Sequence, residues 1–431
     1  MSSKDWPEVR LGDYVDLLTG FPFPSADFTD DSRDVRLTRG DNVVQGRFRW
    51  DGVQRWPRAN LEAYADYLLE PGDVVLAMDR PWIEAGLKYA TVSPEDRPCL
   101  LVQRVSRLRG VNGLSTGFLR YVVGSRAFTQ YILAVQTGTA VPHISGGQIA
   151  DYRFLLPSRV EQERITETLG ALDDKIELNR RMNRTLESIA SAIFKAWFVD
   201  SEPVRKKMEG GEAGPSPSVD ATSPGVLDGA VHVSGSFRMA KLTDLVAVGR
   251  DPVLPQEISG EVVDLYSIPA FDEDRMPAVV AGTTIKSNKF AVPQGSVLVS
   301  RLNPRIRRVW LPRHRRDRRS VCSTEFLVLA PKPPLTKEYL YGLLCSDEFS
   351  EELASRVTGT SGSHQRVKPS DALSIPVALP STSLIDRYSK SLRPLLEQAG
   401  HLLEEDRVLT DLRDALLPQL IGGGAPSCEP S

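Results

Sequence analysis

The densest group of side chains with chemical potential lies between residues 301 and 319, RLNPRIRRVWLPRHRRDRR. It holds nine arginines and a single acidic residue, Asp317. Arginine neutralises phosphates and can donate two hydrogen bonds to guanine O6 and N7. A solvated surface hairpin is one interpretation and a DNA-facing loop is the other. We favour the loop because the chain carries a formal net charge of −3 and no acidic run lies nearby in sequence.

A thinner basic group lies between residues 33 and 58, where seven arginines are interleaved with Phe48, Trp50 and Trp56. Within it, RLTRGDN (residues 36–42) combines a turn with the guanidinium and amide groups that recognise guanine and adenine. The sequence leaves open whether Trp50 and Trp56 contact bases or pack inside a domain.

Two Thr-Gly-Thr loops begin at Thr137 and Thr358 and contain His143 and His364, each pair separated by 221 residues. Their amides and hydroxyls suit phosphate binding, although a plain turn into a following strand explains them equally well. No Cys, Asp or second His lies at ligand spacing, so hydrogen bonding is favoured over a metal or catalytic role.

Position after a strand-like run adds further candidates, because Arg80 and Lys88 flank the loop after residues 74–78, a place we take as equivalent to Arg301. Arg301 and Asn303 are the predicted base readers, and the outer arginines are predicted to meet phosphates. The predicted DNA-binding residues are Arg36, Arg39, Asn42, Arg47, Arg49, Arg80, Lys88, His143, Arg301, Asn303, Arg305, Arg307, Arg308, Arg313, Arg315, Arg316, His364, Gln365, Arg366 and Lys368.

Motifs for catalysis were not found in the sequence. It contains no GxxxxGK[ST] nucleotide loop, no GxSxG elbow and no glycine-rich methyl-donor loop. Its four cysteines are scattered without a CxxC pair, which predicts reduced thiols, no zinc site and a cytoplasmic location. No apolar run approaches the ~20 residues of a membrane span. We therefore expect a non-catalytic protein without its own metal.

Two long amphipathic helices are predicted to position these groups, at residues 158–200 and 382–421. Their apolar residues recur at three- and four-residue steps, and Asn179 and Asn183 fall in the first stripe, where polar residues set register. Pro394 and Gly400 are expected to weaken or kink the second helix. The predicted helix-pair interface is Ile165, Leu169, Leu172, Ile176, Leu186, Ile193, Trp197, Leu392, Leu395, Leu402, Leu409 and Leu416, with Ile189 on the same stripe.

The rest of the chain reads as a tandem repeat, because residues 237–381 replay the order of motifs in residues 1–157, including a helix predicted at about 117–134. Residues 201–236 are rich in Gly, Pro and Ser and predict a flexible linker, and residues 422–431 predict a disordered tail. The predicted fold class is α+β: two tandem-repeated α/β domains separated by two long helices that pair as an antiparallel coiled coil.

The order of domain, helix, domain and helix, together with three short motifs, resembles a known family. The motifs are FKAWFVD (194–200), EPVR (202–205) and LRDALLPQLI (412–421). Over nearly its whole length the chain resembles the specificity subunit of a type I restriction-modification system.

This resemblance implies a function for each part. Each repeat would be a target-recognition domain for one half of a bipartite DNA sequence, and the helix pair would set the unspecified spacer. Two methyltransferase (modification) subunits would dock on it and methylate adenine, and restriction subunits could join. The cofactors S-adenosylmethionine, ATP and Mg would belong to those partners. The alternative is a coiled-coil scaffold that pairs two protein-binding domains without touching DNA.

Overall fold

The computed structural model describes residues 6–83, 86–138, 140–200, 238–273, 275–358 and 365–422. The predicted linker at 201–236, the predicted tail beyond residue 422 and the candidate His364 lie outside these ranges. The chain divides into two compact units. The first unit comprises residues up to Glu177 together with those from Arg407 onward, and the second unit comprises Leu178–Asp406.

The first unit is built on a five-stranded sheet with the order β2-β11-β6-β9-β4, beside a three-stranded sheet with the order β10-β3-β5. All four residues of β6 are buried, which is typical of a central strand. The strands are β1 (Glu8–Arg10), β2 (Val15–Thr19), β3 (Val35–Thr38), β4 (Gln45–Gly46), β5 (Arg55–Trp56), β6 (Val74–Ala77), β7 (Trp82–Ile83), β8 (Gly86–Leu87), β9 (Tyr89–Thr91), β10 (Cys99–Leu101), β11 (Val105–Gly110) and β12 (Arg153–Leu155).

Three short helices complete the first unit: α1 (Thr116–Val123), α2 (Arg126–Val135) and α3 (Gly146–Ala150). The single helix predicted at 117–134 was wrong, because it is divided into α1 and α2. The side chain of Ser125 accepts a hydrogen bond from the backbone N–H of Phe128 and so caps the start of α2. Gly124 and Ser125, a helix stop followed by a cap, were the signals for this division.

The second unit has a four-stranded sheet, order β14-β22-β19-β20, and a five-stranded sheet, order β15-β18-β21-β16-β17. Its strands are β13 (Arg238–Lys241), β14 (Val246–Gly249), β15 (Pro252–Val253), β16 (Val262–Tyr266), β17 (Ala278–Ala281), β18 (Lys289–Ala291), β19 (Val297–Ser300), β20 (Val309–Trp310), β21 (Arg319–Ser323), β22 (Phe326–Pro331), β23 (Val357–Thr358), β24 (Arg366–Val367) and β25 (Pro376–Leu379). The helices between them are α5 (Leu242–Leu245), α6 (Ile268–Glu273), α7 (Lys337–Leu344), α8 (Asp347–Ser355) and α9 (Pro369–Leu373).

The two units share one internal arrangement. Strands β2, β11 and β6 of the first sheet correspond to β14, β22 and β19 of the second, in the same antiparallel order. A helix pair follows β11 in the first unit and β22 in the second, and a last strand pairs with the first one, β12 with β1 and β25 with β13. The repeat inferred from sequence motifs is therefore a repeat of topology.

Two long helices were predicted and two are present: α4 (Arg159–Phe194), extended by a π-helical turn at Lys195–Val199, and α10 (Thr382–Ile421). Within the second unit they run antiparallel, because Asn179 donates to Glu405 at 2.8 Å while Phe194 packs on Tyr388 with ring centroids 5.7 Å apart. The second helix is continuous through Pro394 and Gly400, and the weakening or kink expected there stays a prediction.

The stripe of α4 differs from the prediction at its second half. Ile189 is exposed, whereas Ala190 and Phe194 are buried in the core of the second unit. Among the predicted interface residues, the structure packs Ile165, Leu169 and Leu416 with the core of the first unit, and Ile193, Trp197, Leu392 and Leu395 with that of the second. It buries Ile176 and Leu402 and half-buries Leu172, Leu186 and Leu409.

Candidate nucleic-acid interface

The first candidate site lies where β6 ends. Arg80 adopts a positive φ of 44°, and its backbone N–H donates to the carbonyl of Pro142 at 2.6 Å. The N–H of Ile144 in turn donates to the carbonyl of Met78 at 2.9 Å. These two bonds tie the Thr-Gly-Thr loop to the end of the strand and place His143 beside Asp79.

Asp79 is the centre of an ionic group in this first site. Its carboxylate accepts hydrogen bonds from Nδ1 of His143 at 2.6 Å and from Arg104 at 2.7 Å. Burial raises the pKa of Asp79, but the bonds from His143 and Arg104 outweigh burial, so its pKa lies below the ordinary value. The carboxylate of Asp79 thus orients the side chains of His143 and Arg104.

Lys88 lies close enough to Asp79 and Arg80 for their charges to change its pKa. Burial lowers the pKa of Lys88, Asp41 raises it, and the neighbouring cations Arg49 and Arg80 lower it further. Arg49 and Arg80 themselves are exposed. The strand end of the first unit is therefore a crowded basic surface, which favours an incoming anion.

The second candidate site lies where β19 ends and repeats the same backbone pattern. Asn303 has a positive φ of 46°, and its N–H donates to the carbonyl of Gln365 at 2.8 Å. The N–H of Val367 donates to the carbonyl of Arg301 at 3.0 Å. Each hydrogen bond in this pattern has its counterpart in the first unit.

Glu325 is the centre of the ionic group in the second site. It accepts a hydrogen bond from Nε of Arg366 at 3.0 Å and forms an ion pair with Arg301 at 3.5 Å. The side chain of Asn303 has a buried Oδ1 without a hydrogen-bond partner among the described residues.

The shared pattern corrects two equivalences taken from sequence. By their hydrogen bonds, Arg80 corresponds to Asn303 rather than to Arg301, and His143 corresponds to Arg366 rather than to His364. The reason is loop length: Thr137 and His143 are bridged across six positions, whereas Thr358 and Arg366 are paired across eight. A fixed offset of 221 fails across a two-residue insertion.

The arginine run is divided by the fold into structural and exposed members. Arg308 is buried and binds Asp272 through two hydrogen bonds of 2.6 and 2.7 Å, and Arg315 pairs with Glu404 of α10. No acidic run lies nearby in sequence, but single carboxylates that are distant in sequence pair with these arginines in space.

Arg313 explains the glycine in the second long helix. Its guanidinium donates to the carbonyl of Glu397 at 2.9 Å and lies across Gly400, where a Cβ would come within 1.6 Å of its Nη2. Gly400 makes room for this side chain and does not interrupt the helix. We therefore leave Arg308, Arg313 and Arg315 out of the interface proposed below.

Arg305, Arg307 and Arg316 are exposed members of the run. Arg305 and Arg316 form no ion pair within the described residues, whereas Arg307 bonds Ser350 at 2.9 Å and pairs with Asp347. Lys368 is exposed at the start of α9, two residues after Arg366.

In the basic group of residues 33–58, Asn42 is buried and its side chain is used by the fold. It accepts from the N–H of Arg39 at 3.2 Å and donates to the carbonyl of Arg49 at 3.2 Å. The guanidinium of Arg36 lies 5.3 Å from the ring centroid of Trp50 and donates to the carbonyl of Glu95. Asn42 holds the turn; Arg39 is half-buried and pairs with Asp41 at 3.7 Å, Arg47 is half-buried, and Arg49 is exposed.

Three residues of these sites were missed from sequence: Asp79, Arg104 and Glu325. Isolated residues in a chain with 25% charged residues carry no signal of their own. Among the described residues, no cluster of three or more His, Cys, Asp or Glu could hold a metal ion, and no helix is long and apolar enough to cross a membrane.

Comparison with known proteins bears directly on these two sites. Residues 3–188 match the family described as the type I restriction modification DNA specificity domain. The specificity subunit of the type I restriction enzyme HindI from Haemophilus influenzae is 25% identical over 97% of this chain and 99% of that protein. The chain is thus similar to type I specificity subunits, over nearly its whole length in one case.

A second relative and a solved structure are also similar to this chain. The specificity subunit of the type I enzyme EcoAI from Escherichia coli is 36% identical over 172 residues, which span 39% of this chain and only 28% of that relative. A crystal structure of a type I restriction-modification S subunit from M. genitalium has a TM-score of 0.52 at 13% identity, covering 99% of this chain and 97% of that one. At that identity the likeness shows a common fold alone.

Proposed function

We propose that this chain is a type I specificity subunit that recognises a bipartite DNA sequence, with one half-site read by each unit. The observation that carries the proposal is the repetition of one backbone arrangement at two strand ends with different side chains on it. The first presents Arg80, His143 and Arg104, and the second presents Arg301, Asn303 and Arg366. Equal scaffolds with unequal side chains are what two different half-sites require.

The chemistry of these groups fits base edges and phosphates. Guanidinium groups held by a carboxylate keep a fixed orientation, which a bidentate bond to guanine needs. Asn303 has an amide of the type that recognises adenine, with its Oδ1 buried, so that its Nδ2 is the atom left to donate to adenine N7. The exposed Arg49, Arg305 and Arg316 are suited to phosphates, which position a protein without reading sequence.

Partner subunits supply the reaction in this proposal. Two methyltransferase subunits dock on the chain and methylate adenine, and restriction subunits join them in the complete enzyme. S-adenosylmethionine, ATP and Mg belong to those partners, and the specificity subunit itself contributes DNA recognition and no catalytic group.

A methylome tests the proposal. The chain is expressed with the methyltransferase of its own system in a host free of adenine methylation, beside a strain that lacks the chain. We expect a new, gapped motif only when the chain is present. A stable complex without new methylation would contradict the proposal and favour the protein-binding scaffold.

Salt dependence gives an independent test on purified complex. Counterion release makes the affinity for DNA fall steeply with salt, by about 0.9 logarithmic units per phosphate contact and decade of salt concentration. If the protein is a protein-binding scaffold, it should either not bind DNA or bind it with an affinity that does not depend on salt.

A further inference from the structure

The tips of two β-hairpins each leave one isoleucine in solvent. In the first unit, β6 pairs with β9 and the tip carries the small ribbon of β7 and β8. In the second unit, β19 pairs with β20 and the tip is a shorter turn. Ile83 is 41% exposed on the first tip and Ile306 is 53% exposed on the second.

Exposure of one apolar residue is common and decides nothing alone. What sets these two apart is that they occupy the same place in the repeat. Each lies three residues after the residue with positive φ, Arg80 or Asn303, and two residues after a buried proline. Two units that differ in most side chains both place isoleucine there.

The geometry of the first ribbon keeps Ile83 bare. Ile83 lies opposite Gly86, which has no side chain to cover it, and a Cβ at Gly86 would come within 3.2 Å of Gln45. Trp82, its neighbour in the ribbon, is also exposed. Exposed apolar surface is therefore concentrated at this tip.

Basic residues lie near the isoleucine of both tips, while Glu84 follows Ile83 in the chain and Arg307 pairs with Asp347. Arg80 and Lys88 flank the ribbon of the first unit, and Ile306 lies between Arg305 and Arg307 in the second. An apolar side chain inside a basic rim matches DNA, whose phosphates surround the bases. A two-stranded ribbon fits the major groove, where the methyl group of thymine is the apolar feature of the base edges.

We propose that Ile83 and Ile306 each contact a thymine methyl group in the major groove, Ile83 in the half-site of the first unit and Ile306 in that of the second. This inference rests on the function proposed above and adds to it a base and an atom. Insertion between base pairs is the contrasting mode, and it is chiefly a device of minor-groove binders.

Deoxyuridine provides the probe, because it differs from thymidine only by the missing methyl group. Once the motif is known, duplexes are made with every thymidine of one half-site replaced, and their affinity for the complete complex is measured by fluorescence anisotropy. Loss of one buried methyl contact predicts about a fourfold weaker affinity for either substituted duplex.

Substitutions in the protein then assign each contact. Ile83→Ala should bind the natural duplex about fourfold more weakly and lose all sensitivity to deoxyuridine in the first half-site, while remaining sensitive in the second. Ile306→Ala should show the reverse. Val111→Ala and Val262→Ala, at exposures of 39% and 52%, are the matched controls and should behave as the unsubstituted chain.

The outcomes separate this inference from the proposed function. Sequence-specific binding in which Ile83→Ala and Ile306→Ala keep the full deoxyuridine effect overturns the thymine contacts and leaves the two-reader function standing. A complex that shows no sequence preference removes the proposed function itself. A substitution that desensitises both half-sites equally contradicts the assignment of one isoleucine to each.

Discussion

The two strand-end sites have the same backbone and different ionic groups. In the first unit the carboxylate, Asp79, follows the central strand and is held by His143 and Arg104. In the second, the carboxylate is Glu325, at the position that Arg104 occupies in the first, and it binds Arg301 and Arg366. The acid has therefore moved to the other side of the site, and Leu302 occupies the position that Asp79 has in the first unit.

The different position of the carboxylate in the two units shows which part of the site is a common scaffold and which part varies. The paired backbone hydrogen bonds and the positive φ at Arg80 and Asn303 occur in both units. The side chains satisfy one another in a different way each time. A recognition domain built like this can change its target by changing side chains without rebuilding the loop.

The largest expected difference concerns Lys88 and Arg308, which occupy one position of the repeat, since their carbonyls accept from Ala77 and Ser300 respectively. Arg308→Met should destabilise the protein by about 1.5–3 kcal/mol, because it removes the charge-assisted hydrogen bonds between Arg308 and Asp272. Lys88→Met should cost little, because burial already disfavours the charge of Lys88. Denaturant unfolding measures both, and equal losses would contradict the difference.

Base recognition should separate the two sites next. Arg301→Ala is expected to relax specificity in one half-site by about 1–3 kcal/mol, and Arg80→Ala in the other. Affinities for duplexes substituted in single half-sites measure this. Arg315→Ala is the control, because its guanidinium pairs with Glu404 and should leave base choice unchanged. Relaxation of both half-sites by one substitution would be incompatible with two independent readers.

Removal of each central carboxylate tests what the acids do. Glu325→Gln releases Arg301 and Arg366, so we expect a slope of logarithmic affinity against logarithmic salt that is steeper by about one phosphate contact, with weaker preference in the second half-site. Asp79→Asn should do the same for the first half-site. A shallower slope would mean that the acids, and not the bases they hold, face the ligand.

The smallest effect is a dependence on acid pH confined to the first site. Because the pKa of Asp79 is depressed in the folded protein, its contribution is present above the unfolded value of about 3.9 and is lost as pH falls through the folded pKa. For a partly exposed pair it amounts to about 0.2–1 kcal/mol. Thermal unfolding should show the unsubstituted chain and Asp79→Asn converging below about pH 4. A constant gap between them would show that Asp79 acts through its shape.

Much of the fold was predictable because it depends on local signals. The spacing of apolar residues at three- and four-residue steps was sufficient to predict α4 and α10. The common order of short motifs was sufficient to predict the repeat. The buried face of α4 includes Phe194 and not Ile189, because Phe194 packs against Tyr339 and Tyr388. Sequence periodicity cannot predict where those two tyrosines lie.

The candidate sites were predictable only in outline. The strand ends and the loops containing Thr137 and Thr358 were correctly singled out as features of a repeat, but their exact partners depend on loop lengths. The fate of the arginine run depended on Asp272 and Glu404, whose distance in sequence hides their contact with Arg308 and Arg315. Charge density alone does not distinguish an ion pair of the fold from a free cation.

The division of the chain between the units has a consequence for its synthesis. The first unit includes the end of α10, whose Leu416, Leu417 and Leu420 pack against its core, while the second unit needs nothing beyond Asp406. A ribosome therefore delivers every segment of the second unit before it delivers the last segment of the first. The unit whose synthesis begins first is therefore completed last. Until then the core that contains Ile165 and Leu169 lacks Leu416, Leu417 and Leu420.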